Sequence, residues 1–386
     1  MKRFLLLTEG EISLKKRNRC FFENILINNT AILLDRYSLN ILKEKRGRFI
    51  VYLQDNDKIN HIIKDLSNIF GFKNIYSGTL IERDIDLSVR TVLDLLKDYR
   101  SFKIQARRID KTFHYTSMDL NKILGEKVLA QNPALIVDVH NPDSIVYLDV
   151  FNDHFKIYIK VSDCPGGLPY GSSGKAICLL SAGIDSPVAF YMMAKRGCEV
   201  IPVYFHTPPY TGDSTILKVE NIVQVLSNYT VKEIKLYIVN FTDLQMAIKK
   251  YVREKYFTII ARRAMGRIAQ ELAKKENAKA MITGESLSQV ASQTIDNIVC
   301  IEEVFDLPVF RPLIGFDKLD IINIAKKIGT YENSIQEGID CCALFSPKSP
   351  ETKAKISDVL DQEIKLSEHI DLYRNYSYTY KIISNN

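Results

Sequence analysis

The chain contains no uninterrupted apolar run of membrane-spanning length, and its N-terminus, Met1-Lys-Arg-Phe-Leu-Leu-Leu-Thr-Glu9, turns acidic too soon for a secretory signal. A helical membrane protein and a secreted one are both excluded, and the cytoplasm is the expected compartment. Cysteine is sparse: seven residues, an odd number, without framework spacing and without a Cys-x-x-Cys pair. Reduced thiols are therefore expected, not a disulfide scaffold, and no iron–sulfur cluster is predicted. Net charge is also low, at +6. Its distribution is uneven, because residues 1–50 hold eleven Lys or Arg against five Asp or Glu, a surplus equal to that of the whole chain. A polyanionic partner for the N-terminal part follows. With 386 residues, 46% of them hydrophobic, two or three domains can each bury a core.

The most informative stretch is Ala176-Ile-Cys-Leu-Leu-Ser-Ala-Gly-Ile-Asp-Ser-Pro-Val-Ala189. A strand-type run ends at Leu180, small residues turn the chain, and helical spacing starts at Ser186. Backbone N–H groups in such a loop converge on an anion, the helix N-terminus adds its positive end, and Ser181 and Ser186 add hydroxyls. The loop has neither the lysine of a Walker motif nor the three spaced glycines of a Rossmann turn. Further on, Glu199–Phe205, Glu233–Val239 and Ala278–Thr283 are predicted strands. Helices are predicted over Ser214–Leu226, Lys250–Lys275 and Leu319–Ile328, with a polar helical tail from Pro350 to about Tyr373. Strands alternating with long helices imply a doubly wound parallel sheet whose ligand sits beyond the carboxyl ends of the strands. The opening loop, His206 after Phe205, and the hydroxyl- and amide-rich Thr283-Gly-Glu-Ser-Leu-Ser-Gln-Val-Ala-Ser-Gln-Thr294 should gather there. A histidine at a strand end more often serves packing than catalysis.

Upstream, strands and helices alternate as βαβαβ over residues 2–82, which suggests a small ferredoxin-like α+β unit. Lys15-Lys-Arg-Asn-Arg19 falls at a helix start, where cations oppose the helix dipole and so suit an anionic ligand. A second unit follows, with Phe102-Lys-Ile-Gln-Ala-Arg-Arg-Ile-Asp-Lys111 as its basic, aromatic-interleaved patch. The segment Cys164–Gly174, dense in Gly, Pro and Ser, is the best linker.

Ser181-Ala-Gly-Ile-Asp-Ser186 resembles the pyrophosphatase (PP) loop of ATP-dependent adenylating enzymes, usually Ser-Gly-Gly-x-Asp-Ser, with Ala182 replacing the first glycine. Gly10-Glu-Ile-Ser-Leu-Lys15, Asn18-Arg19, Phe21-Phe22, Arg107-Arg108, Asp110-Lys111 and Tyr115-Thr-Ser-Met118 fit the same family as Arg262-Arg263, Thr283-Gly-Glu-Ser286, Gln289-Val-Ala-Ser-Gln-Thr294, Arg311-Pro-Leu-Ile314 and Asp317-Lys318. Together they resemble the tRNA 4-thiouridine synthetases. That resemblance implies a ferredoxin-like domain (1–77), an RNA-binding THUMP domain (78–165) and an α/β PP-loop catalytic domain (174–386). It also implies ATP and Mg2+ as cofactors, tRNA and a cysteine desulfurase as partners, and leaves room for a homodimer. Asp185, associated with Mg–ATP and with no other protein metal ligand, and Lys318, needed for adenylation, are the implied catalytic pair. ATP contacts are implied for Leu180, Ser181, Ala182, Gly183, Asp185, Ser186, Tyr204, Phe205, His206, Arg263, Gly284, Gln293 and Arg311. RNA contacts are implied for Lys15, Lys16, Arg17, Arg19, Lys103, Arg107, Arg108 and Lys111.

In that family a persulfide-linked cysteine lies late in the chain, which points to Cys341 or Cys342 without choosing between them. Longer members append a rhodanese domain, and the stretch up to Asn386 has no room for one. Sulfur would then come directly from the desulfurase or from sulfide. Rival readings are a PP-loop enzyme acting on a small molecule, a tRNA-binding protein with a decayed catalytic unit, and a sulfur-transfer role in thiamine synthesis.

Overall fold

The computed structural model describes residues 1–54, 58–338, 344–366 and 376–384. The chain divides into two units, 1–168 and 169–386. The first runs β1 (Lys2–Glu9), α1 (Arg19–Asp35), β2 (Ile41–Lys43), β3 (Arg48–Tyr52), α2 (Ile59–Leu66), β4 (Phe72–Ile81), α3 (Ile85–Leu95), β5 (Ser101–Arg108), α4 (Ser117–Gln131), β6 (Ile136–Val137), β7 (Ser144–Val150) and β8 (Phe155–Asp163). Its strands form one sheet of order β2-β3-β1-β4-β8-β7-β5-β6.

The expected boundary between residues 77 and 78 falls inside β4, which pairs antiparallel with β1 on one side and β8 on the other. Gly78 makes the second pairing close, since a Cβ there would lie 2.3 Å from the Ile157 carbonyl oxygen. The βαβαβ reading missed β2, a three-residue edge strand too short to show periodicity. The β2–β3 connection turns through Arg46 (φ 63°) and Gly47 (φ 70°), the left-handed pair that matches the twist of a hairpin. Helix α4 starts from a reciprocal cap, with Thr116 and Asp119 each satisfying the other's backbone N–H.

The second unit runs β9 (Lys175–Leu180), α5 (Asp185–Lys195), β10 (Glu199–His206), α6 (Asp213–Ser227), β11 (Ile234–Asn240), α7 (Thr242–Tyr251), α8 (Phe257–Glu276), β12 (Ala280–Ile282), α9 (Ile295–Glu302), β13 (Val309–Phe310), α10 (Lys318–Ile328), α11 (Tyr331–Ser334), α12 (Ile356–Ile364) and β14 (Tyr378–Ile383). The sheet order is β13-β12-β9-β10-β11-β14. All pairings are parallel except β14 against β11. From β9 the chain steps through α5 to β10 on one side, while β12 and β13 lie on the other. The order therefore reverses at β9, and a crevice opens beyond its carboxyl end between the β9 and β12 loops.

Two expectations fail here. The helix predicted over Lys250–Lys275 is split, because Val252 and Arg253 are extended. β14 was not foreseen, since its alternation pays off only by adding an edge to β11; the expected tail's residues from 367 to its end near Tyr373 lie outside the described residues. Among the described residues no helix is long and apolar enough to cross a membrane.

Candidate active site

The crevice is floored by the β9–α5 loop, which its own hydroxyls hold closed. Ser181 N–H donates to Ser186 Oγ (2.8 Å), Gly183 N–H donates to Ser181 Oγ (3.2 Å), and the two hydroxyl oxygens are 3.1 Å apart. Among the described residues the non-glycine positions with positive φ are Ser38, Arg46, Val231, Asn277 and Ser288. Ala182 is not one of them, so its methyl group, which is buried, causes no backbone strain. The glycine that the fold does require is Gly284. A Cβ there would lie 2.7 Å from Ser186 N, 2.8 Å from Ser186 Cα and 2.9 Å from the Asp185 carbonyl carbon. The β12 loop thus rests directly on the start of α5.

Asp185 is the first residue of α5. Its Oδ1 lies 2.5 Å from Lys318 Nζ and its Oδ2 accepts from Gln289 Nε2 at 2.8 Å. Lys318 is aimed by its neighbour, because Asp317 caps α10 by accepting from the Asp320 N–H at 2.9 Å. Residues 133 positions apart in the chain thereby form one ion pair.

Behind the loop is a cavity of about 180 Å³. Leu179, Phe205, Met265, Ile301 and Phe305 give it apolar walls, suited to a flat ring. Leu180, Ser181, Asp185, Ser186, Tyr204, Gly284, Gln293 and Arg311 also line it, as expected. Glu285, not foreseen, organises the polar side. Its buried carboxylate accepts from Arg262 Nη1 (2.8 Å), Arg311 Nε (2.7 Å) and Thr283 Oγ1 (3.0 Å). Gln293 Oε1 and Arg311 Nη2 are buried without a hydrogen-bond partner among the described residues. An unmatched acceptor and an unmatched cationic donor in one apolar-walled cavity fit a purine base carrying phosphates. One carboxylate at the phosphate loop fits Mg2+, which usually takes one or two carboxylates plus substrate phosphates.

Four of the residues expected to contact ATP lie outside this lining. Arg263 does not face the cavity; its neighbour Arg262 does. Arg263 is fully buried and is held by Glu363 (2.8 Å), Glu303 (2.7 Å) and the Cys300 carbonyl. Adjacent helical residues point about 100° apart, and the buried carboxylates captured the second arginine of the pair. His206 is also buried, its Nε2 3.0 Å from the Thr211 carbonyl oxygen, and does not line the cavity. Ala182 and Gly183 supply loop backbone and are not part of the lining. Cys341 and Cys342 lie outside the described residues.

Burial alone would raise the Glu363 carboxyl, but hydrogen bonds from Arg267 and Arg263 outweigh it and bring the group to about 2, from an ordinary 4.5. Because the folded value lies below the unfolded one, this contribution to stability is complete above about pH 4.5 and is lost as pH falls toward about 2. Glu363→Gln should remove that part of the acid dependence. Urea midpoints of wild type and variant, measured from pH 6 down to about 2, should converge as acid is added. Parallel curves would refute the assignment.

In the first unit the expected RNA-contacting cations separate into two groups. Lys16, Arg17 and Lys111 are exposed. Others are engaged: Arg107 pairs with Asp149 through Nε (2.9 Å) and Nη2 (2.5 Å), Arg19 with Glu9 (2.5 Å) and Glu23 (3.1 Å), and Lys15 with Glu11 (3.8 Å). Lys103 donates to the Val139 carbonyl and Arg108 to the Phe113 carbonyl. Arg19 and Arg107 nevertheless border a cavity of about 980 Å³, together with Lys43, Lys45, Arg46 and Arg48. Those four come from Lys43-Glu-Lys-Arg-Gly-Arg48, a run that charge density alone would have flagged.

The comparisons with known proteins agree with this construction. The model described as "Thiamine biosynthesis protein (ThiI)" matches residues 171–367, the THUMP domain model residues 88–160, and the "ThiI ferredoxin-like domain" model residues 4–76. A protein of Caldanaerobacter subterraneus subsp. tengcongensis named "Probable tRNA sulfurtransferase" is 43% identical over 95% of this chain and 96% of its own. One of the same name from Lachnospira eligens is 40% identical over 97% of each. A solved structure described as a 4-thiouridine synthetase–RNA complex with bound ATP is 36% identical, covers 100% of both chains and superposes with a TM-score of 0.89. With a PP-loop crevice, a THUMP segment and relatives of this identity along nearly its full length, the chain belongs to the ThiI family.

Proposed function

We propose that this chain is an ATP-dependent tRNA uracil 4-sulfurtransferase, active in the cytoplasm, that converts a tRNA uridine to 4-thiouridine. The observation that carries the reading is the Asp185–Lys318 ion pair set on the closed Ser-x-Gly-x-Asp-Ser loop at the sheet's switch point. Residues 1–77 and 78–165 serve the tRNA and residues 174–386 the chemistry. The RNA and ATP of the structurally similar synthetase support both halves.

In the first step uridine O4 attacks the α-phosphorus of ATP. The O4–P bond forms, the bond to the β-phosphate oxygen breaks, pyrophosphate leaves with the electron pair, and the N3 proton goes to solvent. The loop N–H groups, Ser181 and Ser186 hold phosphate, while Arg262 and Arg311 neutralise charge. Mg2+, when bound beside Asp185, supplies further charge compensation on the phosphates. In the second step sulfur bonds to C4 and AMP leaves with O4. If the sulfur is carried as a persulfide on Cys341 or Cys342, it arrives as the outer sulfur of a cysteine desulfurase persulfide; that sulfur bonds to C4, a second thiol attacks the cysteine sulfur and breaks the S–S bond, and an external thiol reduces the resulting disulfide. If free sulfide is the donor, it attacks C4 itself and no persulfide forms. A homodimer is compatible with this scheme, and delivery of sulfur for thiamine synthesis can coexist with it.

Incubation with unmodified tRNA, Mg–ATP, cysteine and a cysteine desulfurase should yield near-ultraviolet absorbance of thiolated uridine together with AMP. Neither signal appearing would sink the proposal. Thiolation that persists with both Cys341 and Cys342 changed to serine would refute only the persulfide assignment. For the RNA half, Lys45→Gln with Arg46→Gln should flatten the slope of log affinity for tRNA against log salt by about 2, one for each lost phosphate contact. An unchanged slope would remove the β2–β3 hairpin from the interface.

A further inference from the structure

We infer that a second cavity of the catalytic unit, adjoining the nucleotide cavity, receives the target pyrimidine base after it is turned out of the RNA; the inference rests on the thiolation reading above. This cavity measures about 300 Å³ and is bordered by α8, the turn Ala291–Gln293 and residues of the stretch 346–351. Two features tie it to the nucleotide cavity. Arg262 lines both, and Ser292 lines this one while its neighbour Gln293 lines the other. A shared arginine and one short turn therefore form the partition between them.

An adenylating enzyme that acts on a base has to bring O4 to the α-phosphate, which a stacked base cannot reach. It needs a pocket for one ring directly beside the nucleotide. The cavity has the chemistry for that guest. Ile259, Val290 and Pro347 offer apolar surface for the ring faces, and Thr258 and Ser292 offer hydroxyls for its polar edge. Thr258 stands one helical turn before Arg262, so both project from the same face of α8. Neither hydroxyl makes a hydrogen bond among the described residues. Lys255, which pairs with Glu351 at 2.7 Å and is 45% exposed, adds a cation for the RNA backbone. The cavity's volume falls within the roughly 300–1,000 Å³ of small-molecule sites. Arg262 then lies between the two reactants, where charge develops as O4 bonds to phosphorus.

The test uses the full chain and tRNA already carrying 4-thiouridine, whose thiocarbonyl cross-links to adjacent atoms under near-ultraviolet light. Mass spectrometry should find the attachment within residues 255–262, 290–292 or 346–351. Attachment only elsewhere overturns the subsite. Independently, Thr258→Val combined with Ser292→Ala should lower kcat for thiolation about tenfold, the loss of hydrogen bonds that strengthen in the transition state. Affinities for ATP and for whole tRNA should move by less than about twofold. An unchanged kcat, or an equal loss of ATP affinity, overturns the assignment. Wild type that thiolates while cross-linking elsewhere refutes the subsite and leaves the function intact. Wild type that cross-links here without thiolating refutes the function and leaves the subsite.

Discussion

Lys318→Met is expected to lower the rate of pyrophosphate release by about 10²–10³, the usual cost of removing one charged group that stabilises the transition state. ATP affinity should fall far less. The geometry explains the split. Lys318 Nζ is 2.5 Å from Asp185 Oδ1 at the start of α5, and the lysine side chain is 42% exposed. It is a flexible cation whose resting partner can be exchanged for a phosphate that gains charge as pyrophosphate leaves. Methionine keeps the stem and loses the charge, so α10 and its Asp317 cap should survive. Asp185→Asn should also depress the rate, and the double variant should lose less than the product of the two single losses, because the groups act as a unit. Single-turnover release of labelled pyrophosphate checks this. Wild-type release from Lys318→Met would remove the lysine from the chemistry.

The second large effect is expected from Gly284→Ala. A methyl group would enter within 2.7–2.9 Å of three backbone atoms of Asp185 and Ser186. Backbone cannot turn aside as a flexible side chain can, so the β12 loop must lift off α5. Overpacking of this kind costs about 1–3 kcal/mol, and the distortion falls on the phosphate loop itself. ATP affinity should fall about 10- to 100-fold, with a lower melting temperature. The informative contrast is Ala182→Gly. Ala182 has an ordinary backbone conformation, so restoring glycine there should change ATP affinity by less than about threefold. Wild-type affinity in Gly284→Ala would show that the loop contact is not required. Equilibrium binding of ATP measures both.

Much of the candidate site's geometry was legible in the chain, and for identifiable reasons. Ser181, Asp185 and Ser186 announce themselves because a strand, a loop of small residues and a helix start are all local features. Asp317-Lys318 was legible because the cap and the cation are adjacent. The pair Arg262-Arg263 was legible only as a pair. Local sequence does not say which of two neighbouring guanidiniums lines the cavity and which is captured by Glu303 and Glu363, residues 40 and 100 positions away. Glu285 was passed over for a similar reason: its importance lies in accepting from Arg262 and Arg311 at once, and neither is its neighbour in sequence.

The same division holds for the basic N-terminal unit. The surplus of positive charge in residues 1–50 was visible by counting. Its use was not, since Arg19 and Arg107 turn out to be paired with carboxylates, while the β2–β3 hairpin supplies most of the cations that share their cavity. The boundary expected at residue 77 illustrates this from the side of the fold. Each half of the N-terminal unit has its own periodicity, but β4 pairs with strands from both, and backbone pairing between distant strands leaves no mark on local composition.

By itself, then, the sequence determined the types of most of the longer elements, the small-residue loop, the capped lysine and the basic N-terminal half, because these depend on short-range spacing, backbone freedom and charge count. Tertiary structure alone decided that Asp185 meets Lys318, that Gly284 rests on α5, that Arg262 and not Arg263 lines the cavity behind the loop, and that a second cavity shares that arginine. Those outcomes depend on which distant groups compete for the same charge and the same space, and only the folded chain brings the competitors together.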